Sequence, residues 1–506
     1  MVNHLLFAFT MTSIPTTSGS LTRQMGLVGL AATGICSMIG ASIHVVPFMI
    51  QRNVPGIGPY VLPAFLFAAI PATLAAFAYI ILASAMPRAG GSYIYASRSL
   101  SPYLGFVASF AQWFGLSIAI GVVSYVIIPF LRDIATALQW NEVAAWLNTG
   151  TVRVTLALLF LWTFVLVNIR GVKLYERTVV PLMFLMFGLG AIVIVTGFIY
   201  NQQDFAQAVL AREGRTIVET PAEFNWRTFL AGSALLFSSF IGFDSIAQAG
   251  GEAKDPSRAL PRAIGIAIVT VSLFYMLFTF AVYHTVPWSF VAQESQVKDV
   301  TAPGLLSYLL PSGWAVLIVL GAAVALVNDL PAMILSVSRL MFSWAEDGIF
   351  PKRISTIHST FHTPHVAILL SGMMATIGIL GSHFAGDFFL GIDIMVTSML
   401  VNFLLMCVSV LALPINNPTL AAEIKVFKSL PLQRVLALSG TLWLIGFLII
   451  HITKDVTAPA EAWYFHSTPV WLIVMVVASL IFFYNWSRLK KSGVNTKQLF
   501  STLPPE

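Results

Sequence analysis

The sequence predicts an all-helical integral membrane protein of twelve transmembrane helices, on three observations. Of the 506 residues, 58% are hydrophobic and 9% charged, whereas a soluble domain carries roughly 25% charged residues. So few charges cannot clothe a water-facing surface of this size, which excludes cytosolic enzymes and nucleic-acid binders. Apolar stretches of about 20 residues, enough for a helix to cross a bilayer, recur along the whole chain. Nothing alternates in the ten-residue apolar–polar pattern of a membrane barrel. The net charge of +6 says little in such a protein, because the placement of basic residues carries the information. Cys36 and Cys407 both lie inside apolar stretches, which removes a disulfide framework or a cysteine-based metal site.

Taken in order, the predicted spans are 25–50, 59–86, 103–131, 152–169, 178–200, 228–251, 262–286, 312–345, 364–383, 388–413, 434–452 and 468–487. Val54 to Pro87 and Ser99 to Leu131 contain no Asp, Glu, Lys or Arg, and the fourth span is the shortest. The loops set the orientation. With the N-terminus in the cytoplasm, inner segments hold 19 Lys and Arg and outer segments 8. Basic loops stay on the cytoplasmic side, so both termini are expected inside, in a multi-pass protein of the cell (plasma or inner) membrane. The organisation expected is an N-terminal tail (1–24), a first half (25–200), an outer loop (201–227), a second half (228–413), two further spans (434–487) and a C-terminal tail (488–506). The outer loop is mixed in charge, and little more than an amphipathic turn is expected there.

Two spans are interrupted. The first contains Gly34-Ile-Cys-Ser-Met-Ile-Gly40-Ala-Ser-Ile-His44, and the sixth Ser238-Ser-Phe-Ile-Gly242-Phe-Asp244. They are the first members of two five-helix halves, and with an odd number of spans per half the halves have inverted topology. Interruptions at matching positions of two halves point to a transporter's binding site. In lipid an unpaired backbone group costs several kcal/mol, so a helix unwinds only where protein, water or a ligand satisfies it. Each break presents N–H groups that attract anions and C=O groups that attract cations. A small substrate carrying a carboxylate, an ammonium group or both fits such a pair.

Four motifs then carry a resemblance. Gly40-Ala41-Ser42-Ile43, Pro87-Arg-Ala-Gly90-Gly91-Ser-Tyr93-Ile-Tyr95, Phe240-Ile241-Gly242-Phe243-Asp244 through Glu252-Ala-Lys-Asp-Pro256 to Leu260-Pro261, and Ser338 through Asp347-Gly348-Ile-Phe-Pro351 together resemble the amino acid–polyamine–organocation (APC) transporter superfamily in order and spacing. The resemblance implies the five-plus-five inverted-repeat (LeuT-like) fold with helices 1 and 6 interrupted and helices 11 and 12 appended. It implies transport of amino acids by alternating access, as symport or exchange, with no cofactor beyond a coupling H+ or Na+. The substrate carboxylate would rest on backbone N–H groups of Ala41, Ser42 and Ile43 after Gly40. The ammonium group would rest on carbonyls at Phe240 and Ile241, next to Gly242. Amine-coupled relatives place a lysine in the fifth helix; the fifth span here has no basic residue, and Met186 falls near that position.

Single residues carry paired readings. Asp329, beside Asn328, lies near the middle of the eighth span, where an ionised carboxylate costs at least about 2.5–3.5 kcal/mol. It pairs with a cationic substrate group or titrates with a transported proton, or else it sits in an outer vestibule. Asp244 is a ligand contact or an N-cap of the second half-helix. His44 senses pH or hydrogen-bonds in the vestibule. Ser336 and Ser338 sit on the inner half of the eighth span, where related folds bind sodium against the first, or serve close helix contact. His358, His362 and His365 read as solvated loop residues more than as a metal cluster. Glu252, Lys254, Asp255, Arg258 and Arg262 form an inner gate by salt bridging to Arg88 or Arg98, or the loop is simply solvated. Trp113, Phe237, Phe240 and Phe243 are pocket walls or packing. The alternatives to amino acid transport are a polyamine or organic amine permease and a non-transporting receptor or scaffold of the same fold. No accessory subunit is named by the sequence.

Overall fold

The computed structural model describes residues 21–218, 221–385, 389–459 and 462–504, without the side chains of Ala41, Ser42, Ala137, Ser312, Ala315, Ala385 and Phe389. Most of the expected N-terminal tail lies outside these residues. Among those described, twelve helices are long and apolar enough to cross a membrane. Spans 1 to 6 are Leu27–Asn53, Gly58–Ala85, Pro102–Thr136, Gly150–Ile169, Val172–Ile199 and Trp226–Gln248. Spans 7 to 12 are Pro256–Thr285, Val316–Glu346, His365–Phe384, Leu390–Asn416, Leu430–Thr457 and Ser467–Lys491. Helices prevail because lipid offers the backbone no hydrogen bonds, so each span satisfies its own.

The spans divide into an enclosed set and a peripheral set. Span 1 is wholly enclosed in its most apolar stretch, and spans 3 and 6 nearly so, whereas spans 4, 5, 11 and 12 turn most of theirs outward. Leu159, Leu166, Leu442 and Leu480 on that periphery are each more than half exposed, as an apolar solvent permits. Span 3 packs along spans 8, 9 and 10, span 2 along span 7, and span 1 along spans 7, 8 and 5. The interior therefore gathers around the two interrupted helices.

Several details depart from the sequence expectation. The outer loop holds a regular helix, Gln202–Glu213. The Asn201 side chain accepts from the Gln203 and Asp204 amides at 2.8 and 3.1 Å, and the Asp204 carboxylate accepts from the Asn201 amide at 2.9 Å. This reciprocal capping satisfies N–H groups that a helix start leaves free. Span 5 begins at Val172 rather than at residue 178, which places Lys173, Glu176 and Arg177 on its inner turns. Glu176 Oε1 accepts from the Gly26 amide at the start of span 1, at 3.2 Å.

The side that the distribution of Lys and Arg assigns to the cytoplasm is also differently paired. A short buried helix, Gly91–Ser99, lies under the bundle. It starts at Gly90 (φ +76°), where an added Cβ would lie 1.9 Å from Ser343 Oγ. Arg98 on this helix forms a two-pronged bond with Asp347, Nη1–Oδ2 at 2.5 Å and Nη2–Oδ1 at 2.9 Å. Glu252 pairs with Arg339, with Nε–Oε2 at 3.2 Å. The expected pairing of Glu252 with Arg88 or Arg98 is thus replaced by two buried pairs, each joining span 8 or its end to another inner segment. The C-terminal helix Thr496–Ser501 docks beneath them. Arg98 Nε donates to the Thr502 carbonyl at 3.2 Å, its guanidinium lies over the Phe500 ring, and Asn417 donates to the Ser501 carbonyl at 3.0 Å.

Candidate functional site

Span 1 is two helices, Leu27–Met38 and Ala41–Asn53, parted at Ile39 and Gly40. Span 6 runs helically from Trp226 to Leu236, tightens into a 3-10 turn over Phe237–Phe240, extends at Ile241 and resumes at Ser245–Gln248. Gly242 is the pivot, with φ +136°, a region essentially reserved for glycine. A Cβ there would lie 2.4 Å from the Ser37 carbonyl oxygen, so the absence of a side chain lets the two breaks touch backbone to backbone. Ser37 Oγ and Ser245 Oγ meet at 3.1 Å across the same contact. The Met38 carbonyl, released by the break, accepts from the Tyr275 hydroxyl of span 7.

A cavity opens where the breaks meet spans 3, 8 and 10, with about 680 Å³ of atom-free space including its opening. Its wall is mainly apolar: Val45 and Val46 from span 1, Leu116, Ala119, Val122, Val123 and Val126 from span 3, Ile241 from span 6, Met333 from span 8, and Ile392 and Met395 from span 10. The polar groups are the Ser37 and Ser238 hydroxyls and the Asp329 carboxylate. Asp329 is 5% exposed, and its Oδ1 has no hydrogen-bond partner. The other oxygen lies against Gly40, where an added Cβ would be 2.2 Å away.

The structure brings Gly40, Ile241, Gly242 and Asp329 together and disperses the other candidates. Ala41, Ser42 and Ile43 open the second half of span 1; the Ala41 and Ser42 side chains lie outside the described residues. Ile43 is fully buried away from the wall. Phe240 packs on Phe65 and Tyr275, and Phe237 and Phe243 on Phe403. Trp113 lies edge-on to Trp344 and donates to Ser371 Oγ at 3.2 Å. These four aromatics are core packing, and none of them lines the cavity. His44 is buried edge-on to Phe278 of span 7, with Nδ1 unpartnered, so it makes no vestibule hydrogen bond through that atom. Ser338 Oγ donates to the Leu335 carbonyl and accepts from Arg339, at 2.9 and 2.8 Å, while the buried Ser336 Oγ has no partner. His358 Nδ1 accepts from the Thr360 and Phe361 amides, and no group of metal-ligating side chains occurs among the described residues.

Asp244 is not the side-chain N-cap that one of its readings expects. It makes no side-chain cap to the helix that follows and is absent from the cavity wall. Instead it accepts from the Gly242 amide at 3.1 Å and from Gln112 of span 3. Gln112 Oε1 in turn accepts from Ser92 (2.5 Å), Gln248 (3.1 Å) and Asn402 (2.8 Å), and Asn402 accepts from Tyr79 (2.7 Å). This buried network fixes the span 6 break to spans 2, 3 and 10. Sequence reading missed Gln112, Gln248 and Asn402; the one signal for them is an amide side chain inside an otherwise apolar span, which must find a partner.

Comparison with known proteins agrees with this architecture. A family model described as amino acid permease matches residues 25–495. The chain is 26% identical over 364 residues to the vacuolar cationic amino acid transporter 4 of Arabidopsis thaliana, covering 70% of this chain and 58% of that protein. It therefore spans little more than half the length of that relative. It is 27% identical to the branched-chain amino acid permease BcaP of Bacillus subtilis, over 72% of this chain and 76% of that one. It is 22% identical to the methylthioribose transporter of the same bacterium, over 94% and 96%. The chain belongs to the amino acid permease family, whose members are multi-pass membrane transporters rather than enzymes.

Proposed function

We propose that this chain is a secondary permease for amino acids, working by alternating access around the cavity between the two interrupted spans. The observation that carries the reading is that cavity: two helix breaks, held backbone to backbone at Gly242, flank a partly open space inside the bundle. The substrate carboxylate is assigned to the amides of Ala41, Ser42 and Ile43 after Gly40, and the ammonium group to carbonyls at Phe240 and Ile241. The apolar wall from spans 3 and 10 favours a substrate with a neutral, apolar side chain. The two halves, 25–200 and 228–413, are read as inverted repeats, which the packing of span 2 on span 7 and of span 3 on span 8 supports. Both termini are assigned to the cytoplasm and the protein to the cell membrane, on the distribution of Lys and Arg.

The inner side is closed. The Arg98–Asp347 and Arg339–Glu252 pairs seal it, and Met25 exchanges backbone bonds with Glu252 and Lys254, at 2.8 and 2.9 Å. Opening inward must break these contacts. Uptake of a panel of radiolabelled amino acids and amines into proteoliposomes tests the proposal. Accumulation of one amino acid class, driven by an ion gradient or by preloaded amino acid, is expected; no uptake of any compound by inserted, folded protein would overturn it. Asp329 in the wall favours a second reading, an amine permease, which predicts uptake of amines lacking a carboxylate.

A further inference from the structure

The start of the helix Ala41–Asn53 is where a small anion belongs. Its first amides have no partner within the helix, and the helix dipole adds positive potential there. Asp329 reaches that place from span 8: its carboxylate lies against Gly40, it is 95% buried, and Oδ1 has no hydrogen-bond partner. No Lys or Arg stands in the cavity wall to neutralise a second anion. Two carboxylates sharing one poorly solvated position cannot both be ionised.

We propose that Asp329 is an internal, proton-dependent occupant of the anion position at the span 1 break: ionised, it holds the position, and protonated, it yields the position to the carboxylate of the substrate. This rests on the permease reading. Binding then takes up one proton. It goes to Asp329 rather than to the substrate, because an α-carboxyl group (pKa about 3.3–3.7) is the weaker base beside an aspartate (about 3.9). When the carboxylate leaves on the other side, Asp329 loses its proton there and returns to the helix start, so one proton crosses with each substrate.

Of the other titratable groups on the packed elements, Cys36 of span 1 lies within electrostatic reach of Asp329 and is held by Asn328 at 2.9 Å, and Tyr175 of span 5 donates to Thr33 at 2.9 Å. His44 lies edge-on to Phe278, and Asp244 is bonded to Gln112 and Gly242. On spans 4 and 9, Arg153 and His383 both meet Tyr125, toward the outer ends, while His365 contacts His358 at the inner end. Span 3 carries Arg132 and Asp133 at its outer end, bonded to each other. Arg98, under the bundle, is taken by Asp347.

The test uses the purified full-length chain and binding of radiolabelled L-valine, L-arginine and putrescine across a pH series, with calorimetry in two buffers of different ionisation enthalpy to count protons. Wild type is expected to bind an amino acid with an affinity that weakens by up to about tenfold per pH unit as pH rises, the slope of one linked proton, and to take up about one proton per molecule bound. Asp329→Asn is expected to bind with an affinity flat in pH and without proton uptake, and Asp329→Glu to keep the slope. A flat wild-type profile, or an unchanged slope in Asp329→Asn, overturns the proposal and leaves the permease reading standing. Putrescine binding that strengthens with pH and is lost in Asp329→Asn also overturns it, making Asp329 a counter-ion for amines. If wild type binds none of the three and transports nothing from the larger panel, the permease reading itself fails.

Discussion

Replacing Gly242 by alanine should separate the two interrupted spans. The added Cβ would lie 2.4 Å from the Ser37 carbonyl oxygen, 2.5 Å from its carbon and 2.8 Å from the Met38 nitrogen. All three are backbone atoms, which cannot swing aside as a flexible side chain could. Ordinary contact begins at 3.4 Å, so the breaks must part by about 1 Å. An alanine at φ +136° adds backbone strain of about 1–3 kcal/mol, and overpacking adds about 1–3 kcal/mol. The expected cost of about 2–6 kcal/mol is a large fraction of a typical net stability of about 5–15 kcal/mol. The assay is the apparent melting midpoint in detergent, with amino acid uptake by the same preparation. Gly242→Ala should melt lower and lose uptake. The control is Gly265→Ala on span 7, where a Cβ meets nothing within 4 Å. That change should be neutral or stabilise by about 0.5–1 kcal/mol. If Gly242→Ala melts and transports like Gly265→Ala, the contact between the breaks does not hold the site, and the reasoning fails.

The remaining predictions concern the supports of the site. Asp347→Asn leaves the Arg98 guanidinium buried without its counter-charge and should destabilise by about 3–5 kcal/mol, while Arg98→Met with Asp347→Leu should recover much of that loss; melting of the two variants beside wild type checks it. Tyr275→Phe strips the Met38 carbonyl of its donor and should cost about 1–3 kcal/mol, with a larger loss of uptake than of stability because the carbonyl borders the break. At the outer face, desolvation pushes the Glu294 carboxyl up, and the donors Lys298 and Arg215 outweigh it, leaving the group below its ordinary value. Its contribution is therefore complete above the unfolded carboxylate range and is lost as pH falls through the lower folded value. Acidification should lower the melting midpoint of wild type more than that of Glu294→Gln.

The features legible in the sequence are those for which lipid leaves no alternative. A run such as Val54 to Pro87, without a single charge, has one stable form in a bilayer, so the spans could be located within a few residues. Gly40 and Gly242 stood out because glycine and serine at mid-span mark a helix interruption, and Asp329 because a carboxylate at that depth needs a reason. The outer helix Gln202–Glu213 was missed although Asn201 and Asp204 spell a cap at the right spacing; the surrounding mixed charge masked it. The partners of Arg98 and Glu252 could not be read. Arg98 meets Asp347 across 249 residues, and which inner segments face one another is decided by how whole spans pack. The aromatic residues stayed open between pocket wall and packing for a related reason: Phe240 and Trp113 sit on the right helices but are not among the residues of the cavity wall, and helix rotation is poorly fixed by a span that is apolar on every side. Gln112 and Asn402 are neutral amides, unremarkable singly, and acquire meaning only when the fold sets them beside Asp244.

The central claim is that one cavity is reached from both sides of the membrane in turn. Ala119 of span 3 lines that cavity, and the native Cys36 and Cys407 are buried. The most direct measurement is labelling of Ala119→Cys, in a background lacking the two native cysteines, by a membrane-impermeant thiol reagent applied to either face of sealed vesicles. Labelling from both faces, slowed on each by the transported amino acid, is the expected result. Labelling from one face only, or labelling that no transported compound slows, would contradict alternating access around this cavity.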